Sequence, residues 1–319
     1  MNVADGSNGP RPPPLPLWVR FAAALPWGVL YALLGACAWF ARVVLRLRVR
    51  VARENLEGCF PDWLPGHVEQ AVRAHYRGLA QVMAEFIKQG RMTAEQINAR
   101  MPFLDAGPVH AALAAGRPVM MVTAHYANWE WALQRLLLGF GVPVVAAYKP
   151  PRNAAAERVM AALRCRFGVR MVPAKRLLRE LTRLRRQPHI AGFVADQVPT
   201  TSPNRHWVRF FGRETAFFPG PAEVARIANY QDVFYIDVAR TARGHYTARF
   251  VPLAVPGETL EPLEFTRRYA AIVERQVRAA PADWMWGHRR WKLEPPEAGR
   301  TDADADADAD ADAGGEAEA

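Results

Sequence analysis

From Phe21 to Ala41 the chain runs 21 residues without a charge, and Arg42, Arg46, Arg48, Arg50 and Arg53 follow at once. As one helix such a run reaches across about 30 Å of hydrocarbon. Pro26 falls near its start, where a helix tolerates proline best. Trp27, Tyr31, Trp39 and Phe40 are placed as interfacial anchors, and the preceding flank offers only Arg11 and Arg20. The positive-inside rule therefore puts everything after Arg42 in the cytoplasm. A cleaved signal has a shorter apolar core, and although Leu34-Gly35-Ala36-Cys37 loosely matches a lipoprotein cleavage box, the chain beyond it stays apolar and then turns basic. The pattern predicts a membrane anchor. Spanning and interfacial placements both stay open, because the stretch continues amphipathically through Leu47.

Beyond Pro61 the pattern becomes that of a soluble α/β fold. Val72, Tyr76, Leu79, Met83 and Phe86 recur at helical spacing and predict a helix over His67–Gln89. Val119–Thr123, Val142–Ala147, Ile190–Val194, Val233–Val238 and Tyr246–Val251 read as strands. Asn128–Leu138, Ala154–Phe167 and Ala174–Arg186 read as helices, and Thr266 is placed as the cap of a last helix ending near Ala279. This alternation predicts a mixed, mostly parallel sheet covered by helices, preceded by the anchor helix. The organisation expected is a disordered 1–16, an anchor and basic flank over 17–53, a catalytic domain over 54–298 and a disordered acidic tail over 299–319.

Composition adds the partner. The net charge is +10, but Asp302–Ala319 holds eight acids and no base; without them 41 basic residues face 23 acidic ones, and only four of the 41 are Lys. A body this basic should meet an acidic partner such as anionic lipid, an acidic protein or nucleic acid. No recognised nucleic-acid module occurs, which weighs against the last. Cys37, Cys59 and Cys165 form neither a disulfide framework nor a metal knuckle. No His pair has metal-ligand spacing, and neither a G-x-S-x-G elbow nor a phosphate loop is present, so no metal or organic cofactor is expected.

The sharpest chemical pattern is His125-Tyr126-Ala127-Asn128-Trp129-Glu130. His125 follows a predicted strand, at the sheet edge where ligands of open α/β folds bind. Glu130 falls in the first turn of the next helix. Across that junction the carboxylate can swing back to fix the imidazole tautomer, leaving the other nitrogen as a general base. The plain alternative is a histidine satisfied in a turn. Asp196 follows another apolar strand, as a site residue or a turn residue.

Several ordered segments of the chain resemble the lipid A biosynthesis acyltransferases, within the wider H-x-x-x-x-D/E glycerolipid acyltransferases. They are the His125–Glu130 element, Tyr148-Lys149-Pro150-Pro151-Arg152-Asn153, Arg164-Cys165-Arg166, Ala195-Asp196-Gln197, Phe210-Phe211-Gly212-Arg213 and Trp284-Met285-Trp286-Gly287-His288-Arg289-Arg290-Trp291-Lys292. Lys149 departs from the usual Arg, and the acidic tail is foreign to that family. The resemblance implies transfer of an acyl chain from an acyl carrier protein thioester to a hydroxyl of a membrane glycolipid, a lipid A precursor above others, at a bacterial inner membrane. His125 and Glu130 would then be the catalytic dyad and Arg164 an oxyanion donor, unless Arg164 is a solvated or phosphate-holding side chain. Asn128, Lys149, Arg152, Asn153, Asp196, Gln197, Arg213, His288 and Arg289 would form the substrate site. Another glycolipid as acceptor, or hydrolysis of a thioester or lipid, fits the same dyad.

Overall fold

The structure is a computed structural model, and it describes residues 13–151, 153–199, 204–254, 258 and 260–295. The predicted anchor is not one helix. It breaks into α1 (Leu17–Ala24) and α2 (Trp27–Val43), bent by 117°. Pro26 is the cause: its ring disfavours helical backbone at Leu25, and both residues are extended with ψ near 147°. Among the described residues no single helix is long and apolar enough to cross a membrane; only the bent pair together meets that length and composition.

One side of α2 packs along α4 (Pro65–Lys88), after α3 (Val49–Cys59). Leu30 is buried on that side, and Trp27 sits under the guanidinium of Arg100 at 4.6 Å. The other side is bare. Leu17, Trp18 and Phe21 of α1, Val29, Leu33, Trp39 and Phe40 of α2, and Leu45 and Leu47 beyond it are exposed. Helix α3 runs across the boundary expected at residues 53 and 54, and it buries Ala52 and Leu56 in the main core.

Next come α5 (Ala94–Arg100), β1 (Phe103–Leu104), α6 (Gly107–Ala114) and β2 (Val119–Thr123). They are followed by α7 (Trp129–Phe140), β3 (Val144–Tyr148), α8 (Ala154–Arg164), β4 (Arg170–Pro173), α9 (Leu177–Leu184) and β5 (Ile190–Val194). The chain continues with β6 (His206–Phe210), β7 (Arg213–Phe217), α10 (Gly220–Ile227), β8 (Asp232–Ala242), β9 (His245–Pro252) and α11 (Pro262–Ala279). The main sheet is ordered β1-β9-β8-β2-β5-β3-β4; β8, β2, β5, β3 and β4 run parallel, and β9 and β1 run the opposite way. The mixed, mostly parallel sheet expected from the alternation is therefore present.

Strand β2 is buried at every position, because neighbouring strands and helices cover it on all sides. Strands β6 and β7 form a separate antiparallel hairpin. Phe211 and Gly212 close it with φ of 53° and 73°, the double left-handed turn that matches strand twist. Thr266 is not the cap of α11. The helix begins a turn earlier with Pro262 in its first turn, and the Thr266 hydroxyl bonds back to the Pro262 carbonyl at 3.1 Å.

Candidate active site

Strands β2 and β5 lie side by side in parallel register, with Thr123 opposite Val194. Two residues past that rung, each strand delivers a functional group: His125 from β2 and Asp196 from β5. Asp196 is 3% exposed. Its Oδ1 lies 2.7 Å from His125 Nδ1, and its Oδ2 accepts the His125 backbone N–H at 3.1 Å and the Trp284 indole N–H at 2.8 Å. Burial alone would raise the Asp196 pKa. The field of His125 and the donors around the carboxylate outweigh it and hold the group below its ordinary value. The carboxylate thus stays charged and turns Nε2 of the ring outward from the pair.

The loop between β2 and α7 is fixed from several directions. Ala127 takes a left-handed φ of 48°, and its N–H donates to the Asp283 carbonyl at 2.9 Å. Asn128 caps α7, accepting the Trp131 N–H at 2.9 Å. The Asn128 amide in turn donates to Glu85 Oε2 at 2.7 Å. Glu85 is wholly buried and also accepts from Tyr246 at 2.6 Å and from Tyr31 of α2 at 3.0 Å. Burial pushes its pKa up, against these donors and the nearby Arg240.

Glu130 stands apart from His125 in its bonding. It receives Arg164 through two contacts, Nε to Oε2 at 2.8 Å and Nη2 to Oε1 at 2.5 Å, and the Trp129 indole N–H at 3.1 Å. The carboxylate expected on the imidazole is therefore replaced by Asp196. The reason is geometric: Glu130 lies in the first turn of α7 and meets the last residue of α8, whereas Asp196 leaves the strand adjacent to β2. Arg164, expected as an oxyanion donor, has its guanidinium fork taken up by Glu130.

A cleft of about 1470 Å³ opens beside the His125–Asp196 pair, and Ala195 and Gln197 on either side of Asp196 are in its wall. Phe193, Val194, Leu177, Phe218 and Val224 give it an apolar interior. Lys149, His288, Arg289 and Lys292 also line it, the last from the closing motif quoted above, together with Arg48 and Arg176, which the sequence did not place at the site. Asn153 instead caps α8, accepting the Ala155 and Ala156 N–H groups. Arg213 lies over Trp291 at 4.5 Å, outside the cleft wall. Arg152 falls outside the described residues. The segment after Trp284 divides its labour: Arg290 is buried over Phe217 at 4.2 Å, while His288, Arg289 and Lys292 line the cleft. Trp284 and Glu85 were also missed as supports. Trp284 stood in a quoted motif without a role, and Glu85 sits in a helix whose pattern gives no sign that a carboxylate faces the core.

His288 is held by its ring and its backbone. Its Nε2 accepts the Val198 N–H at 3.0 Å, and its carbonyl accepts the amide of buried Asn55 at 2.8 Å. Burial lowers the pKa of His288 to about 4, with Arg290, His125 and Arg48 acting the same way against Asp196. Burial also lowers that of His75, on α4, to about 4. An unfolded chain protonates both near 6.5, so between 6.5 and 4 the unfolded state binds more protons and stability falls as pH drops. The urea midpoint should hold above pH 6.5 and decline steadily toward pH 4.5, and His75→Gln should flatten that decline. A midpoint unchanged from pH 7 to 4.5 would contradict the burial of these rings.

Residues 17–293 match the family model described as bacterial lipid A biosynthesis acyltransferase. The chain is 24% identical over 279 residues to the lipid A biosynthesis palmitoleoyltransferase of Escherichia coli strain K12, covering 88% of this chain and 89% of that protein. It has the same identity and coverage with the lipid A biosynthesis acyltransferase of Shigella flexneri. With the lauroyltransferase of Escherichia coli the identity is 20% over 283 residues, covering 88% and 90% of the two chains.

Proposed function

Because the chain belongs to the bacterial lipid A biosynthesis acyltransferase family, we propose that it moves a fatty acyl chain from an acyl carrier protein thioester to a hydroxyl of a lipid A precursor. The observation that carries this reading is the hydrogen-bonded His125–Asp196 pair beside a cleft with apolar walls and a cationic rim. A hydroxyl is a weak nucleophile at neutral pH and needs a positioned base. His125 takes its proton through Nε2, and Asp196 keeps the ring in the required tautomer and stabilises the imidazolium. The apolar interior suits an acyl chain, and Lys149, Arg176, Arg289 and Lys292 suit the acidic groups of donor and acceptor. Glu130 and Arg164 hold the start of α7 against the end of α8, which supports the loop that carries His125.

The bent α1–α2 pair serves as an interfacial anchor on the inner membrane, with the catalytic domain on the cytoplasmic side. Packing of α2 along α4 supports this: α4 carries Glu69, Gln70, Arg73, Arg77 and Lys88, which could not follow α2 into hydrocarbon. The bare face of Trp18, Phe21, Leu33, Trp39 and Phe40 meets lipid, and Arg46, Arg48 and Arg50 meet its anionic headgroups.

The test is lipid A composition in a deletion strain, read by mass spectrometry, with transfer from acyl carrier protein followed in vitro. Loss of one acyl chain from lipid A supports the reading and names donor and position; an unchanged profile, with thioester hydrolysis indifferent to added glycolipid, favours a hydrolase. Acyl carrier proteins are acidic, so apparent donor affinity should weaken as salt shortens the Debye length from about 10 Å at 0.1 M toward 3 Å at 1 M. Donor affinity measured at fixed detergent and flat across that range would show that the cationic rim does not serve the carrier.

A further inference from the structure

The segment leaving β5 grips two imidazoles. Asp196 holds His125 by Nδ1, and two residues on, the Val198 N–H holds His288 by Nε2. Two residues span at most about 7 Å, so His125 is anchored beside the part of the cleft that His288 lines. Asn55 adds a clamp from α3, its amide donating to the carbonyls of Trp286 and His288 at 2.8 Å each. Because Nε2 of His288 accepts a backbone N–H, that nitrogen carries no proton. In the neutral ring the proton must then sit on Nδ1, which makes it a donor. The ring is neutral at working pH, since burial and the surrounding cations oppose a second proton. The cleft therefore holds a fixed, uncharged N–H donor beside the general base, while the guanidinium of Arg164 is committed to Glu130.

We propose that His288 is a catalytic residue whose Nδ1–H stabilises the oxyanion formed on the thioester carbonyl, an inference that rests on the acyl-transfer reading. The acceptor hydroxyl gives its proton to His125 Nε2 and its oxygen bonds to the carbonyl carbon. The carbonyl π pair moves onto oxygen, and that oxyanion accepts the His288 N–H. On collapse the C=O re-forms, the C–S bond breaks, and the departing thiolate takes the proton from His125. An ester and a thiol result, and the His288 proton stays where it began. A neutral donor suits this place: a cation there would lower the proton affinity of the adjacent base, His125.

Three substitutions separate this role from a structural one. His288→Ala removes both ring contacts. His288→Asn places its amide nitrogen where Nδ1 lies, keeping the donor. His288→Gln reaches the Nε2 position, keeping the partner of the Val198 N–H. Removing one oxyanion donor costs about 10²- to 10³-fold in kcat. His288→Ala and His288→Gln should show that loss with KM little changed, and His288→Asn should recover at least about tenfold of it. A ring that only braces the loop would give the reverse order, Gln above Asn, and would overturn the proposal, as would a folded Ala variant with wild-type kcat. Nitrogen NMR of the full-length enzyme in detergent should show His288 protonated at Nδ1 alone at pH 7; a proton on Nε2 would overturn it too. Thioester hydrolysis passes through the same oxyanion and is measured alongside. If wild type only hydrolyses, the acceptor reading fails, yet the same order of variants in hydrolysis still supports His288.

Discussion

His125→Ala is expected to lower kcat for acyl transfer by about 10²- to 10⁴-fold, the usual share of a general base, with little change in KM. The cleft walls do not include the lost ring, so both substrates should still bind. Asp196→Asn should produce a loss of similar kind. The amide keeps the shape but not the charge: its NH2 must face either the donors His125 N–H and Trp284 Nε1–H or His125 Nδ1, which imposes the wrong ring tautomer. The two losses should not multiply, because residues that act as one unit are grossly non-additive. A double-mutant cycle on purified enzyme measures this directly, with thermal melts to confirm folding. Full coupling of His125→Ala with Glu130→Gln, and none with Asp196→Asn, would return the base's partner to Glu130. A folded His125→Ala enzyme with near-normal transfer would sink the base assignment altogether.

Glu130→Ala should act first on stability. It leaves the Arg164 guanidinium, mostly shielded from solvent, without its bidentate partner and the Trp129 indole without an acceptor. Breaking such a buried pair costs about 3–5 kcal/mol. For a chain of this size that is a fall in Tm of about 4–8 °C. Adding Arg164→Met to the same chain should restore much of the loss, because a well-packed apolar pair replaces two buried charges at little net cost. Calorimetry of the single and double variants in detergent decides it. A Glu130→Ala protein as stable as wild type would mean that the pair contributes nothing to the fold and that its value lies in catalysis.

Both contributors to the base were legible in the sequence, because His125 and Asp196 each follow a short apolar strand that the structure reproduces to the residue. Their pairing was not, since 71 residues separate them and only the parallel register of β2 and β5 brings them level. Proximity in the chain favoured Glu130 instead, five residues away, although the start of α7 directs it to α8. A similar local bias hid the bend at Pro26. Proline is tolerated near a helix start, but its effect on the preceding residue ends one helix and begins another. Thr266 looked like a cap by type, while Pro262 marked the true first turn. The β6–β7 hairpin carries Phe-Gly at its turn rather than Asn-Gly, so its aromatic residues read as a motif and not as a reversal.

The tyrosine that α2 lends to Glu85 bears on how the enzyme can be prepared without detergent. Trimming the N-terminus up to Val43 is the obvious route to a soluble preparation. It would strip the Tyr31 hydroxyl from the buried Glu85 carboxylate, uncover the Trp131 edge that meets Trp27 at 6.4 Å, and loosen the amide of Asn128 at the start of α7. The α1–α2 pair is as much part of the domain's interior as of the lipid-facing surface proposed above. A soluble form is better sought by recolouring the outer surface, with polar residues at Trp18, Phe21, Leu33, Trp39 and Phe40, and leaving Trp27, Leu30 and Tyr31 in place.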